Sequence, residues 1–534
     1  MKVKSWPTKG LSIKEKIIDG IKIQVYADRP HSLREVLRRA VAKSPQKVAF
    51  IYQDQSVTYQ DFGQRVDRVS TALQKLCGIK KGDRLAILFS NTIEFCICYF
   101  AITQIGAVCV PLNYRLNSQE LEYQLKDTGA RVLILEDIYG DRIQPIVANL
   151  TGAEHFFTTA RENPEGLRRY DELEKWPETS FEEVDIDEED LASIMYTSGT
   201  TGRPKGAMIC HRNLICNAIT LSHITDLQAE SKQIIFTPLF HASALHSQLI
   251  SAMLKVCTTV IMKEFKTQES LELMAREKVT NVGGVPTMYW LWLMHPDFDK
   301  YDLRSVQITG SGGAAAAPEL IKLLAEKFPH SKFINAGGQT ESTSCTYALP
   351  PQDALKKLGS IGWATPCNEI IVVDEKGNEL PINESGELWF KGPAICKGYW
   401  NNPEGTKETF TNGWLHTGDV GKVDEDGYLF LLDRKKDMII RGGENIYCIE
   451  VENVLYSNPK VGEAAVVGVP DKIFGEQVKA VLVLRPGQIA TAEEIQNFCR
   501  RHLADYKVPK YVEFTDGLPR NPSGKVVKSL LREV

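Results

Sequence analysis

The residues with the clearest chemical signal are 196–206, which read Tyr-Thr-Ser-Gly-Thr-Thr-Gly-Arg-Pro-Lys-Gly. Glycines let a backbone come close to a ligand, while hydroxyls and a lysine supply the donors and positive charge that a polyanion needs. The spacing is not that of a Walker A motif, in which a hydroxyl residue follows the lysine. The pattern predicts a phosphate-binding loop, and the alternative is a Gly/Thr-rich surface turn.

The segments on either side of this loop indicate how it is positioned. Residues 191–196 are apolar enough for a buried strand, and 213–219 place Leu214, Ala218 and Ile219 at helical spacing. A loop between a strand and a helix is a common place for phosphate. We therefore expect a strand, the loop and then a helix.

Further short motifs follow the loop in a fixed order along the chain. They lie at 238–241, 312–314, 339–341, 413–419, 433–445 and 519–525. Together with the loop they resemble the signature of the adenylate-forming superfamily, which includes acyl-CoA synthetases, adenylation domains and luciferases. Within it the chain is closest in type to fatty-acid or aryl-acid CoA ligases. Because the order spans most of the chain, chance is a poor explanation.

The resemblance implies a reaction with three substrates: a carboxylic acid, ATP and CoA. The acid becomes an acyl adenylate, and CoA then forms the thioester with release of AMP and pyrophosphate. A carboxylate needs this activation because its charge repels nucleophiles and oxide is a very poor leaving group. The alternatives are transfer to a carrier-protein pantetheine, a luciferase-like oxygenase and a non-catalytic nucleotide-binding protein.

The resemblance also assigns roles to individual residues. Lys525 is the adenylation lysine, Thr340 contacts phosphate, Glu341 holds Mg²⁺ and Asp419 binds the ribose, while His241 completes the catalytic set. The residues expected to bind nucleotide or CoA are Thr197, Ser198, Gly199, Thr200, Thr201, Gly202, Lys205, Gly313, Ala314, Gly337, Gly338, Gln339, Asp419, Arg434, Lys436, Gly442 and Gly443.

A second set of residues is expected to surround the acid. No acidic side chain follows Phe240, where amino-acid-activating relatives place an Asp, and burying an ammonium without a partner is costly. Gly338 stands where acetate-specific relatives carry a Trp. A medium-chain, cyclic or aromatic acid therefore fits. The expected pocket residues are His241, Ser243, Gly310, Ser311, Gly312 and Gly338.

One position departs from the family pattern. The family places an aromatic residue, which stacks on adenine, two residues before the position of Gln339, and here that residue is Gly337. The missing ring implies weaker ATP binding, another stacking partner or a looser nucleotide preference. We expect ATP still to serve.

The alternation of apolar runs with helical patterns predicts an α/β fold, with strands at 48–52 and 84–88 among others. Residues 491–494, Thr-Ala-Glu-Glu, form a capping box that predicts the start of a helix.

The resemblance implies a large lobe, residues 1–433, with two α/β subdomains and a distorted β-barrel. A small mobile α+β domain, residues 434–534, would follow, with a hinge near Lys436. The acidic stretch at 181–190 is expected to be a solvated connector.

The composition narrows the class of protein to which the chain can belong. The chain has 534 residues, a formal net charge of −5 and 43% hydrophobic residues, which is typical of a soluble globular protein and argues against a nucleic-acid partner. Neither a signal peptide nor an integral membrane segment is expected, so we predict a cytoplasmic protein. The twelve cysteines show no disulfide or zinc spacing and are expected to be packed or free thiols. A monomer and a homodimer both stay open.

Overall fold

The computed structural model describes residues 3–160, 166–197, 203–314, 316–520 and 526–532. Across these ranges no helix combines the length and apolarity needed to cross a bilayer. All twelve cysteines are buried and free, as the sequence predicts.

Strands account for much of the described chain. In chain order they are β1 (Ile13–Ile18), β2 (Ile21–Tyr26), β3 (Val48–Tyr52), β4 (Gln55–Thr58), β5 (Arg84–Leu88), β6 (Val108–Pro111), β7 (Val132–Leu135), β8 (His155–Thr158), β9 (Arg168–Arg169), β10 (Leu191–Thr197), β11 (Lys205–Cys210), β12 (Lys232–Ile235), β13 (Thr258–Ile261), β14 (Asn281–Gly284), β15 (Ile308–Ser311), β16 (Lys332–Gly337), β17 (Tyr347–Leu349), β18 (Trp363–Ala364), β19 (Glu369–Val373), β20 (Gly386–Lys391), β21 (Phe410–Thr411), β22 (Trp414–Val423), β23 (Leu429–Arg434), β24 (Ile439–Arg441), β25 (Glu444–Ile446), β26 (Val461–Asp471), β27 (Gly475–Leu484) and β28 (Tyr511–Phe514).

The α-helices alternate with these strands through the first two thirds of the chain. They are α1 (Leu33–Lys43), α2 (Tyr59–Cys77), α3 (Ile93–Gln104), α4 (Ser118–Thr128), α5 (Gly140–Ile143), α6 (Asp171–Glu174), α7 (His211–Ile224), α8 (Ile250–Lys255), α9 (Thr267–Glu277), α10 (Pro286–Leu293), α11 (Pro318–Lys327), α12 (Pro403–Thr409), α13 (Cys448–Tyr456) and α14 (Ala492–Arg500). A π-helix, Ser243–Leu249, directly precedes α8.

Two large, mostly parallel sheets form the α/β part of the fold. One has the strand order β11-β10-β6-β5-β7-β8-β9, and the other has the order β18-β17-β16-β15-β14-β12-β13-β3-β4. The largest apolar core joins both sheets to α1, α2, α3, α7 and α8. Helix α3 is apolar on all sides because it lies inside this core, and Thr92 caps its first turn. The predicted α/β class and its two subdomains are confirmed.

The segment expected to form a distorted barrel is an antiparallel sheet of five strands. Its order is β19-β20-β22-β21, with β23 paired to β22, so within the described residues the sheet stays open rather than closing into a barrel. A smaller C-terminal domain contains β24 to β28, α13 and α14. Its helix α14 begins at the predicted capping box, in which Thr491 and Glu494 bond each other's backbone amides.

Two local expectations were wrong. The glycine-rich loop joins β10 to an antiparallel strand, β11, and α7 begins only after that strand. The glycine-rich segment therefore connects two antiparallel strands and does not lead from a strand directly into a helix. The acidic stretch is also more than a solvated connector, because the buried Glu188 carboxylate accepts two hydrogen bonds from Arg29, at 2.7 and 2.6 Å.

Candidate functional site

Two neighbouring cavities open at the carboxyl ends of strands in the large sheets, where open α/β sheets usually bind ligands. The inner cavity, of about 160 Å³, is bordered by the ends of β14, β15 and β16 and by the π-helix. The outer cleft, of about 1060 Å³, lies between the large sheets and the five-stranded antiparallel sheet. The residues that border both spaces are His241, Gly338, Gln339 and Thr340. Molecules in the two spaces would therefore meet at these four residues.

The outer cleft carries charged and hydroxyl groups suited to phosphates. Thr197 and Lys205 line it at the base of the glycine-rich loop, and Glu341 lines it opposite. Tyr399 connects them, because its hydroxyl donates to Glu341 Oε1 at 2.8 Å while the Lys205 ammonium lies 5.0 Å from its ring centroid. Tyr399 has no distinctive sequence signal, so sequence reasoning missed it.

Asp419 and Gln339 form a second polar group in the cleft region. Asp419 is 6% exposed, and its Oδ2 accepts a hydrogen bond from Gln339 Nε2 at 2.8 Å. Its Oδ1 pairs with Arg434 Nε, also at 2.8 Å, across the β22–β23 ladder. The aspartate thus presents a carboxylate of fixed orientation, which suits recognition of neighbouring hydroxyls.

His241 lies at the junction of the two cavities. Its Nδ1 accepts the Ser243 amide N–H at 3.3 Å and lies 2.9 Å from the Ser243 hydroxyl. The neutral ring therefore carries its proton on Nε2. His246, about one turn later, is fully buried, and burial lowers its pKa to about 3. It therefore stays neutral at pH 7 and packs in the interior.

Asn91 holds the chain that carries His241, and sequence reasoning missed it. This side chain is 1% exposed; its Nδ2 donates to Thr237 O at 3.0 Å and to Met262 O at 3.1 Å. Its Oδ1 accepts the Leu239 amide at 2.7 Å. One residue in the connection between β5 and α3 thus fixes residues 237–239, directly before His241.

Glycines along adjacent strands form one wall of the inner cavity. Gly310 and Ser311 pair in register with Gly283 and Gly284 of β14. A Cβ on Gly312 would lie 2.6 Å from the Ala336 carbonyl, so only glycine fits there. The predicted pocket residues, His241, Ser243, Gly310, Ser311, Gly312 and Gly338, all line this cavity, as does Gly313.

The position without an aromatic side chain is filled from the neighbouring strand. Gly337 lies opposite Tyr347 in the β16–β17 ladder. A Cβ on Gly337 would be 2.5 Å from the Tyr347 hydroxyl oxygen and 2.7 Å from Cζ. The glycine is therefore required by the tyrosine that lies over it.

Some expected site residues lie elsewhere or outside the described ranges. Asp419, Lys436, Gly442, Gly443 and Ala314 border neither cavity in the described part of the chain, although Asp419 bonds Gln339, which borders both. Gly442 and Gly443 form the tight β24–β25 turn with positive φ angles of 60° and 90°. The remaining expected residues, Ser198, Gly199, Thr200, Thr201, Gly202 and Lys525, lie outside the described residues.

No group of three or more His, Cys, Asp or Glu in the described ranges could hold a metal ion alone. Proteins usually bind Mg²⁺ through one or two carboxylates together with substrate phosphates. Glu341 supplies one such carboxylate in the outer cleft.

Comparisons with known proteins identify the family. Residues 37–400 match the model of the AMP-binding enzyme family, and residues 450–525 match that of the AMP-binding enzyme C-terminal domain. The chain belongs to this family of adenylate-forming enzymes.

Its relatives activate acids of different kinds. A feruloyl-CoA synthase of Amycolatopsis sp is 38% identical over 92% of this chain and 97% of its own. A long-chain-fatty-acid–CoA ligase, FadD13 of Mycobacterium tuberculosis, is 35% identical over 93% and 97%. Among solved structures, the anthranilate CoA ligase AuaEII in complex with anthranoyl-AMP superposes with a TM-score of 0.89 at 28% identity, over 95% and 98% of the two chains.

The fold, the site and the relatives agree on the reaction class. The chain is an AMP-forming acid–CoA ligase that activates a carboxylic acid to an acyl adenylate and then forms a CoA thioester. ATP and CoA are its other substrates.

Proposed function

We propose that this ligase acts on a compact aromatic or cyclic acid. The observation that carries the proposal is the size of the inner cavity, about 160 Å³, where it meets the outer cleft at His241 and Gly338. An engineered cavity of about 150 Å³ holds benzene, so this space suits one aromatic ring. The mostly apolar strand ends around it favour such a ring over a charged chain.

A panel of carboxylic acids tests this assignment. We expect acid-dependent pyrophosphate release to be highest with aryl-propenoic, benzoic and cyclic acids and to fall for long saturated chains. Palmitate as the best substrate would contradict the size argument while leaving the ligase activity intact. Thioester formation with free CoA, compared with a phosphopantetheinylated carrier protein, decides between CoA and the carrier alternative.

In the first step, the acid enters the inner cavity with its carboxylate at the junction, and ATP occupies the outer cleft. Thr340 and Lys205 would contact phosphate oxygens, and Asp419 would accept the ribose hydroxyls. Glu341 would hold Mg²⁺, which neutralises phosphate charge when bound. Lys525 would stabilise the charge that develops on the phosphate under attack.

In the second step, the small domain would turn about a hinge near Lys436, with the boundary at 433/434. This motion would bring the Gly442–Gly443 turn to the junction, where its lack of side chains leaves room for pantetheine. The position of this turn outside both cavities is consistent with a second arrangement.

Separate assays of the half-reactions test this division of labour. Lys525→Ala should abolish adenylate formation but retain thioester formation from a supplied acyl adenylate. Equal loss in both half-reactions would contradict it.

The buried, unpaired cysteines are consistent with a reducing compartment, and we place the reaction in the cytoplasm. A homodimer stays a prediction, which light scattering of the purified protein checks directly.

A further inference from the structure

One amide on the wall of the inner cavity lacks full hydrogen bonding. Gln248 lines this cavity, and within the described ranges its Nε2 makes one hydrogen bond, to the Gly283 carbonyl at 3.4 Å. Its Oε1 is buried and has no partner among the described residues. Amide groups at protein interiors are normally paired, and an unpaired one is costly.

The surrounding structure holds this amide in place. A Cβ on Gly283 would lie 2.7 Å from Gln248 Nε2, so the glycine makes room for the amide above the strand. Gln233 Nε2 donates to the Gln248 backbone carbonyl at 2.9 Å. The π-helix also carries Ser243, the partner of His241, so one element positions both the amide and the junction.

The amide lies far from the reaction junction. Gly283, Gly310 and Ile334 are aligned across three strands, and Gly338 follows Ile334 by four residues. At about 3.3 Å per residue, the amide is displaced from Gly338 by about 13 Å along the strand direction. Gln233 and Asn281, paired in register, line the same end of the cavity and make it polar.

We infer that the acid carries an oxygen substituent, such as a ring hydroxyl, at the end opposite its carboxylate, and that the Gln248 amide binds it. The inference rests on the proposed aromatic-acid ligase function and names the substrate class of that site. A hydroxyl suits this amide because it both donates and accepts.

The test compares 4-hydroxycinnamate with 4-methylcinnamate, which has nearly the same shape but cannot form the hydrogen bond. For the wild type we expect kcat/KM to favour the hydroxy acid by about 3- to 10-fold, the usual worth of one hydrogen bond. Gln248→Met should bring that ratio to about one. The matched control Gln268→Met changes an exposed glutamine of α9 and should keep the wild-type ratio.

Gly283→Ala offers a second route, because its methyl group would displace the amide without removing it; the same loss of preference is expected. A wild-type ratio near one, or an unchanged ratio in folded Gln248→Met and Gly283→Ala, would overturn the inference. Absence of thioester with every acid tested would instead refute the proposed function.

Discussion

Replacing Gly338 with alanine should block the junction at which the acid and the nucleotide meet. A Cβ at this position would lie 2.5 Å from the Ser344 carbonyl oxygen, 2.8 Å from Ser342 Oγ and 3.0 Å from the Ser344 carbonyl carbon. Two of these contacts are with backbone, which cannot move aside as a side chain can. The 338–344 segment must therefore shift.

The expected effect follows from that shift. Overpacking of this kind typically costs about 1–3 kcal/mol of stability. A displacement of about 1 Å of groups that position reacting atoms can cost on the order of 100-fold in rate. Because Gln339, Thr340 and Glu341 lie in the shifted segment, we expect kcat/KM to fall roughly 10- to 100-fold.

Gly310→Ala is the matched control. It lines the same inner cavity, but its Cβ would have nearest neighbours at 3.6 and 3.8 Å, which are ordinary contacts. We expect a loss below about 10-fold, since only one methyl group is added to the wall. The assay is acid-dependent pyrophosphate release, with thermal unfolding measured in parallel. Equal activity of Gly338→Ala and wild type, or a greater loss in Gly310→Ala, would refute the reasoning.

Three further substitutions test other parts of the structure. Burial opposes ionisation of Glu189, but hydrogen bonds from Arg212 and Lys16 outweigh it and lower its pKa to about 2. This stabilisation is present above about pH 4.5 and is lost as pH falls towards 2. Allowing for partial solvent exposure, Glu189→Gln should lower the free energy of unfolding by about 2 kcal/mol near pH 7. Urea unfolding at a series of pH values should then show a smaller loss of stability between pH 4.5 and 2 in the variant than in the wild type. Asp419→Asn keeps the shape of the side chain but removes the charge that Arg434 and Gln339 orient. The affinity for AMP, measured by calorimetry, should fall by about 10-fold or more. An unchanged affinity would exclude a role for this charge. Asn91→Leu removes three hydrogen bonds to the backbone, two of which hold the segment before His241. Because that segment would become free to move, kcat should fall more than the affinity for AMP. Loss of AMP affinity alone would contradict this role.

The local pattern of the sequence predicted the elements and motifs that depend on neighbouring residues. The strands β3 and β5 and the cap of α14 were predicted with their observed bounds, because hydrophobic periodicity and capping are local signals. Strand β11 was missed since its stability comes from pairing with β10, and the short run 205–210 carries no alternation that would reveal it.

The features missed at the site depend on contacts between distant parts of the chain. Asn91 bonds residues about 150 positions away. Tyr399, which lies between β20 and α12, bonds Glu341, which is 58 positions earlier in the chain. Gly337 could be recognised as a departure from the family, but only the strand pairing shows that Tyr347 takes the space. Similarly, the ion pair between Arg29 and Glu188 turns an acidic connector into a buried contact.

The central claim is that the acid and the nucleotide meet at His241 and Gly338–Thr340. A crystal structure with a non-hydrolysable aryl-acyl-adenylate analogue tests it most directly. The predicted result places the acyl group in the inner cavity and the adenosine in the outer cleft, with the ribose hydroxyls on Asp419. An analogue whose acyl group lies outside the inner cavity, or whose ribose lies away from Asp419, would contradict the account.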